Sequence, residues 1–88
     1  MTAYEWDDDK YARNLQKHQI PFELIYRFDW SAAFHQPDRR FDYGEDRVVA
    51  YGRIDDRGYA IVYTRREDRV RIISIRFAHE KEMKRYGL

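Results

Sequence analysis

The stretch VRIISIRFAH, residues 70–79, combines the pattern of a buried β-strand with two arginines. Its valine, isoleucines and phenylalanine favour an extended strand, yet Arg71 and Arg76 interrupt the apolar run. An unpaired guanidinium group is costly to bury, so each arginine needs an anionic partner or a position at the rim of the core. Guanidinium groups also bind phosphate through paired hydrogen bonds, which makes phosphate recognition one role to test for them.

Side-chain alternation predicts that the two arginines point to opposite faces of this strand. With a period of two, Arg71 shares one face with Ile73 and Ile75, and Arg76 shares the other with Ser74. The first face is expected to pack beneath helices, with Arg71 at its rim. The second face is expected to be open or concave and to display Arg76.

The net charge of +1 conceals an asymmetry along the chain of 88 residues. Residues 1–46 contain six Lys/Arg and ten Asp/Glu, whereas residues 47–88 contain eleven Lys/Arg and six Asp/Glu. The basic half predicts either an anion-binding face or a set of solvated strand edges, and charge alone does not separate the two. The absence of cysteine excludes a disulfide framework and a thiolate metal site.

Local patterns predict the N-terminal elements that must position these side chains. A short strand is expected at residues 4–6. A helix is expected to start within Asp7–Asp9, because aspartate is a good N-cap residue and acids suit the first turn, and to run through about Gln19. A second helix is expected to restart in QIPFELIYRF, residues 19–28, so that the two form a helical hairpin. The residues predicted to share the apolar face of the first helix are Tyr11, Leu15 and His18.

Strand patterns dominate the rest of the chain. The predicted strands are AAFHQ (32–36), RVVAYGRI (47–54), YAIVYTR (59–65) and VRIISIRF (70–77). Short loops join the last three strands as an antiparallel meander, and a short helix is expected within residues 80–88. The predicted fold class is α+β, with an N-terminal helical hairpin packed on a small antiparallel meander sheet, in one domain covering residues 1–88.

Several blocks of the sequence resemble the BrnT family, the toxins of a type II toxin–antitoxin system. The matching positions, in family order, are Trp6-Asp7, Asn14, Lys17-His18, Phe22, Gly44-Glu45, Arg47, Gly52, Arg71 to Arg76, Ala78, Glu82 and Tyr86. Gln19 departs from the family pattern, which has glycine at that position. The resemblance covers nearly the whole chain and implies a RelE-like fold with an endoribonuclease activity that arrests translation.

Metal-independent RNA cleavage requires a base for the ribose 2′-OH and cations for the phosphorane. The candidate catalytic residues are Arg76, Arg71, His18 and Glu82. Arg76 would hold the phosphate or, alternatively, pair with Glu82. Arg71 would bind phosphate or, alternatively, pin the edge of the helix layer. His18 would be the general base or a core histidine bonded to backbone. Glu82 would act in the site or in a helix capping box, although His79 is a poor N-cap residue.

The candidate substrate-binding residues are Arg47, Arg53, Lys17, Tyr51 and Tyr86. Arg47 and Arg53 frame Tyr51 on one strand face, which suits phosphate contact with base stacking, whereas cross-strand ion pairing is the structural alternative. Lys17 is either a phosphate contact or a solvated charge, and Tyr86 is either a stacking platform or a packing residue.

The resemblance also implies partners and a location. An RNA substrate and a BrnA-like antitoxin are expected, with operator DNA bound through the antitoxin, and neither a metal nor another cofactor is expected. The N-terminus shows no signal peptide and no apolar run is long enough to span a membrane, so cytoplasmic action is predicted. The alternative hypotheses are a non-catalytic RNA- or protein-binding domain and a purely structural partner in a complex.

Overall fold

The computed structural model describes residues 2–88, and a mixed sheet of five strands organises this range. The elements in chain order are β1 (Ala3–Trp6), α1 (Asp8–His18), 3₁₀ helices at Phe22–Arg27 and Trp30–Ala32, β2 (Phe34–Asp38), β3 (Arg47–Ile54), β4 (Arg57–Arg66), β5 (Arg69–Phe77) and α2 (Glu80–Arg85). The strands lie in the order β1-β5-β4-β3-β2. β1 pairs in parallel with β5, and the other neighbours are antiparallel.

The predicted fold class is therefore wrong. In residues 2–88 there is no N-terminal helical hairpin packed on an antiparallel meander, because β1 and β2 extend the sheet on both sides and the second helix is absent. In its place, a 3₁₀ helix at Phe22–Arg27 buries Phe22 and Ile25, and Phe28 follows as the next buried residue. This spacing of three matches the three residues per turn of a 3₁₀ helix. The organisation as one domain over residues 1–88 stays a prediction.

One face of the sheet, the core face, packs against residues 20–33. Phe22, Ile25, Ile61, Ile72 and Ile75 are the largest fully buried side chains and belong to one cluster. The remaining strand positions alternate onto the opposite face, which we call the cleft face. There, α2 covers one end of the sheet by packing Met83 and Tyr86 against β3 and β4.

A β-bulge in β5 corrects the predicted directions of the two arginines. Ser74 pairs with Val62 and Ile72 pairs with Tyr63, so Ile73 is an extra residue without an opposite partner. The extra residue resets the alternation, and both Ile72 and Ile75 reach the core face. The prediction that Arg71 and Arg76 point to opposite faces is wrong, because the bulge turns both onto the cleft face.

Helix α1 lies along the edge of β5 that β1 leaves uncovered. Asp7, the first of the three aspartates at the predicted helix start, caps the helix by accepting from the Lys10 backbone N–H, and Gln19 ends it in the left-handed region at φ 60°. Asn14 is buried and bonds both the carbonyl and the N–H of Ile75 at 2.9 and 3.2 Å. The amide of Asn14 thus continues the hydrogen bonding of the β5 edge beyond β1.

The buried face of α1 differs from the predicted one. Leu15 is 42% exposed, whereas Asn14 is 7% exposed and faces the sheet. His18 lies one turn beyond Asn14 and is partly buried, so it belongs to the face that meets β5. This rotation brings His18 to the border of the cleft face rather than into an apolar stripe.

Gly52 in β3 leaves room for the ring of Phe28. A Cβ atom on Gly52 would lie 2.6 Å from Cζ of Phe28 and 3.2 Å from Cβ of Ala33. We expect Gly52→Ala to lower the free energy of unfolding in urea by about 1–3 kcal/mol, because a buried ring must move. Gly58→Ala is the matched control, since its new Cβ would meet the flexible Met83 side chain. Equal losses in both variants would contradict this explanation.

Candidate active site

A cleft of about 1030 Å³ lies on the cleft face, beside helix α1. Val49 and Val62 form part of its floor, together with Ser74 and Arg76 of β5. Helix α1 forms the wall at the β5 side, and residues 36–40 form the opposite wall. Glu82 and Tyr86 line it from the C-terminal segment. The cleft is open to solvent, so a large ligand could enter it.

The lining of this cleft is strongly cationic. Among the described residues, its lysines and arginines are Lys10, Arg13, Lys17, Arg39, Arg40, Arg47 and Arg76. Asp38 and Glu82 are its two carboxylates in the same range, and both are hydrogen bonded to arginines. A groove with this excess of positive charge attracts a polyanion.

A second cleft, of about 1180 Å³, has a different charge balance. Within residues 2–88, its arginines are Arg65, Arg66, Arg69 and Arg71, and its acids are Glu5, Glu45, Asp46, Glu67 and Asp68. Four cations against five acids give no attraction for a polyanion. The cleft beside α1 is therefore the better candidate for binding a polyanion.

Arg76 and Glu82 form a bidentate ion pair inside the cationic cleft. Nη1 and Nη2 of Arg76 each donate to a Glu82 carboxylate oxygen at 2.8 Å, and Nη1 also donates to the Phe77 carbonyl at 3.1 Å. The Glu82 carboxylate also accepts from the His79 backbone N–H at 2.9 Å. Glu82 thus makes the predicted contact with the N-cap backbone and pairs with Arg76 at the same time.

The hydrogen bonds of Arg76 leave one edge of its guanidinium group available. A guanidinium group has five N–H donors, and three of those in Arg76 bind Phe77 and Glu82 in the described part of the chain. The remaining donors are Nε–H and one N–H of Nη2, which point in the same direction along one edge of the planar group. This side edge can bind a phosphate through two hydrogen bonds while Glu82 holds the opposite end.

The ion pair stabilises the charged forms of both groups. Hydrogen bonds from Arg76 and His79 lower the pKa of Glu82 to about 2, and the carboxylate in turn raises the pKa of Arg76. Glu82 is consequently ionised at neutral pH and unsuited to donate a proton. Its geometry is that of a residue that positions Arg76.

Acidification is expected to remove the stability that this pair supplies. The pKa of Glu82 is about 2 in the folded protein and takes its ordinary value of 4.5 in the unfolded chain. The ion pair therefore makes its full contribution to the free energy of unfolding above pH 4.5, and this contribution is lost as the pH falls toward 2. Arg76 is 34% exposed, and solvent screening reduces the expected contribution to about 1–2 kcal/mol. Urea unfolding of the wild type and Glu82→Gln should therefore differ at neutral pH and converge in acid.

Glu80→Gln is the matched control for this pH dependence. The carboxylate of Glu80 is 83% exposed and lies 3.5 Å from Lys84 on the same helix. Its removal should change stability little at any pH. A difference between the wild type and Glu82→Gln that stays constant down to acid pH would contradict the assigned role of the pair.

His18 lies in the same cleft as Arg76. Burial lowers the pKa of its imidazole below the ordinary value of 6.5, and the charges of Lys17 and Arg76 lower it further. The ring is therefore neutral at physiological pH, the state in which an imidazole accepts a proton. Lys17, its neighbour on α1, is exposed and lines the cleft as well.

Tyr51 and Tyr86 use their rings for packing. The Tyr86 ring stacks on Phe34 at 4.5 Å and lies 4.6 Å from that of Tyr51, and its hydroxyl donates to Gln36. Tyr51 is only 9% exposed, and burial raises the pKa of its hydroxyl. Both side chains border the cleft and attach α2 to the sheet, so neither ring presents a free face to a base.

Three predicted arginines differ in their positions. Arg47 lines the cationic cleft, with its guanidinium carbon 3.9 Å from the centre of the Tyr43 ring. Arg71 lies at the other cleft, 3.5 Å from Glu5, and Arg53 donates to the Asp56 carbonyl outside both clefts. The Nε atoms of Arg47 and Arg71 are buried without a hydrogen-bond partner among the described residues. The structure thus separates Arg71 and Arg53 from Arg76.

Sequence reasoning missed four cations of the cleft: Lys10, Arg13, Arg39 and Arg40. Lys10, Arg13 and Lys17 are spaced by three and four residues, which places them on one side of α1. This spacing could have identified them. Arg39 and Arg40 follow β2 directly, and only the position of β2 at the sheet edge brings them to the cleft.

Residues 2–88 contain neither a helix that could span a membrane nor a cluster of metal-ligand side chains. No helix in this range is both long and apolar enough to cross a membrane. No group of three or more histidine, cysteine, aspartate or glutamate side chains in this range is arranged to hold a metal ion.

Comparisons with known proteins identify the family. Residues 6–82 match the family model described as "Ribonuclease toxin, BrnT, of type II toxin-antitoxin system". The crystal structure of the Brucella abortus ribonuclease toxin BrnT superposes with a TM-score of 0.72 at 23% identity, covering 91% of this chain and 100% of that one, and shows a common fold. A search of curated proteins finds no match. Because the family match spans most of the sequence, the chain belongs to the BrnT family of ribonuclease toxins of type II toxin–antitoxin systems.

Proposed function

We propose that this chain is a metal-independent endoribonuclease whose active site is the cationic cleft beside α1. The observation that carries the proposal is the presence of a neutral histidine, His18, and a braced arginine with a free edge, Arg76, in one cleft lined by further cations. A base and a phosphate-binding cation are the two groups that cleavage through the 2′-OH requires. The family membership supports RNA as the substrate.

In the proposed reaction, His18 accepts the proton of a ribose 2′-OH. The 2′-oxygen then attacks the adjacent phosphorus, and the bond to the 5′-oxygen breaks to leave a 2′,3′-cyclic phosphate. Arg76 binds a non-bridging oxygen through its free edge and stabilises the charge of the phosphorane. Because the cleft is open, water supplies the proton to the leaving 5′-oxygen.

The other cleft residues bind the RNA on either side of the scissile phosphate. Lys17 and Arg47 contact the backbone, and Glu82 holds Arg76 in its productive orientation. Arg71 and Arg53 lie outside the cleft, so their predicted contributions to catalysis and binding are the weakest of the set.

The proposal extends to the cellular role. By the family description the chain works with an antitoxin partner. We propose that this partner is a BrnA-like protein that neutralises the toxin and itself binds operator DNA. When the antitoxin is removed, the toxin cleaves cytoplasmic RNA and arrests translation. The basic cleft is the surface that such an inhibitor has to block.

The proposed activity is tested by incubating the purified protein with a defined RNA in the presence of EDTA. Fragments with 2′,3′-cyclic phosphate ends are expected, and an RNA with 2′-O-methyl groups should remain intact. Cleavage of the methylated RNA, or a requirement for added metal, would contradict the mechanism. Binding of intact RNA without cleavage would instead favour a non-catalytic RNA-binding domain, an alternative consistent with the engagement of Arg76 by Glu82.

A further inference from the structure

Hydrogen bonds to Asp38, the last residue of β2, hold the loop between β2 and β3. Asp38 has a side chain that is only 2% exposed, and its carboxylate accepts from Nε and Nη2 of Arg40 at 2.9 and 3.0 Å. The same carboxylate accepts from the Tyr43 hydroxyl at 3.3 Å. One buried acid therefore fixes residues on both sides of Phe41.

Phe41 is the most exposed large apolar side chain in residues 2–88. It is 70% exposed, and within this range its aromatic contact is an edge-to-face one with Tyr43 at 5.9 Å. Other exposed phenylalanines have a covered ring face: Phe77 lies under the guanidinium group of Arg57, and Phe34 stacks on Tyr86. Single exposed apolar residues are common on protein surfaces, so exposure alone does not assign a role to Phe41.

The surroundings of Phe41 supply the second observation. The two residues before it, Arg39 and Arg40, both line the cationic cleft. The guanidinium carbon of Arg47 lies 3.9 Å from the Tyr43 ring, which in turn contacts Phe41. Phosphate-binding cations beside an open aromatic ring form the combination by which proteins hold single-stranded RNA, with backbone contacts and base stacking side by side.

We propose that Phe41 stacks on an unpaired base of the RNA that occupies the cleft, with Arg39 and Arg40 contacting the adjoining backbone. This inference rests on the proposed function for the identity of the ligand. Phe41 would contribute to sequence specificity, because an RNA with a strongly stacking base at this position would bind more tightly than one without. A single strand or loop is the required form of the substrate, because a paired base has no face free for Phe41.

The test measures binding of a 2′-O-methyl oligoribonucleotide, which lacks the 2′-OH nucleophile and stays intact. Phe41→Ala is expected to weaken binding about fivefold to hundredfold, the range for loss of one base–aromatic stack. Phe41→Leu keeps an apolar side chain without a ring and should also weaken binding. Phe41→Trp keeps an aromatic ring and should bind the oligonucleotide as the wild type does. With 2-aminopurine placed along the oligonucleotide, quenching at one position should disappear in Phe41→Ala.

Tyr26→Ala is the matched control, because Tyr26 is 65% exposed and packs on Tyr4, outside the cleft lining. Its affinity for the oligonucleotide should equal that of the wild type. Equal affinity of Phe41→Ala and Tyr26→Ala would overturn the proposal and leave Phe41 as a contact for a protein partner. Full binding by Phe41→Leu would overturn stacking. If wild-type protein binds through Phe41 but never cleaves unmodified RNA, the proposed enzymatic function fails and this inference stands.

Discussion

Arg76→Ala is expected to slow RNA cleavage by about 100- to 1,000-fold, the usual effect of removing one preorganised donor from a developing oxyanion. The expectation rests on the free side edge of the guanidinium group, whose other end is held by Glu82 at 2.8 Å. Arg76→Lys keeps the charge but cannot form two parallel hydrogen bonds, so it should recover only part of the rate. The cleavage rates of the wild type, Arg76→Ala and Arg76→Lys are compared under single-turnover conditions with a defined RNA.

The control for a general loss of positive charge is Arg53→Ala. Arg53 lies in β3 and donates to the Asp56 carbonyl outside the cleft, so its removal should leave the rate unchanged. A second control addresses Glu82, which loses its partner in Arg76→Ala. If the unpaired carboxylate repels the RNA, the double variant Arg76→Ala with Glu82→Gln would recover the rate. That recovery, or equal losses in the Arg76 and Arg53 variants, would contradict a direct role of Arg76.

The strands of the fold were the most predictable elements. RVVAYGRI was predicted as the strand at 47–54, and β3 spans Arg47–Ile54. The helical start within the run Asp7–Asp9 was also correct, because N-capping depends on local residues alone. The helical hairpin was wrong because Phe22, Ile25 and Phe28 fit either a helical stripe or a 3₁₀ spacing, and packing against the sheet decides between them.

The bulge at Ile73 explains why the facing directions of the arginines were not predictable. Period-two alternation holds only while each residue has one partner, and the extra residue appears only when β5 pairs with β4. The match of Arg76 with Glu82 was anticipated as an alternative, since a strand end followed by a helix start brings them together. The position of Lys10 and Arg13 in the cleft wall was not anticipated, because it depends on the placement of α1 along the β5 edge.

His18→Asn is expected to lower the rate of cleavage by about 100- to 10,000-fold, the range for loss of a positioned general base. The pKa of His18 lies below its ordinary value of 6.5, through burial and the nearby charges of Lys17 and Arg76. The wild-type rate should consequently rise with pH along an acid limb centred below pH 6.5 and then level off. The residual activity of His18→Asn should lack this limb.

The other two histidines make the assignment testable. His35 lies on the core face, where its ring stacks on Trp30 at 5.8 Å and Nδ1 is 3.0 Å from the Tyr63 hydroxyl. His35→Asn should therefore retain the acid limb. His79 is a closer rival, because its backbone N–H binds the same Glu82 carboxylate that holds Arg76. An acid limb that persists in His18→Asn but disappears in His79→Asn would transfer the role of base to His79. Loss of the limb in His18→Asn alone would identify the neutral imidazole on α1 as the group that activates the 2′-OH.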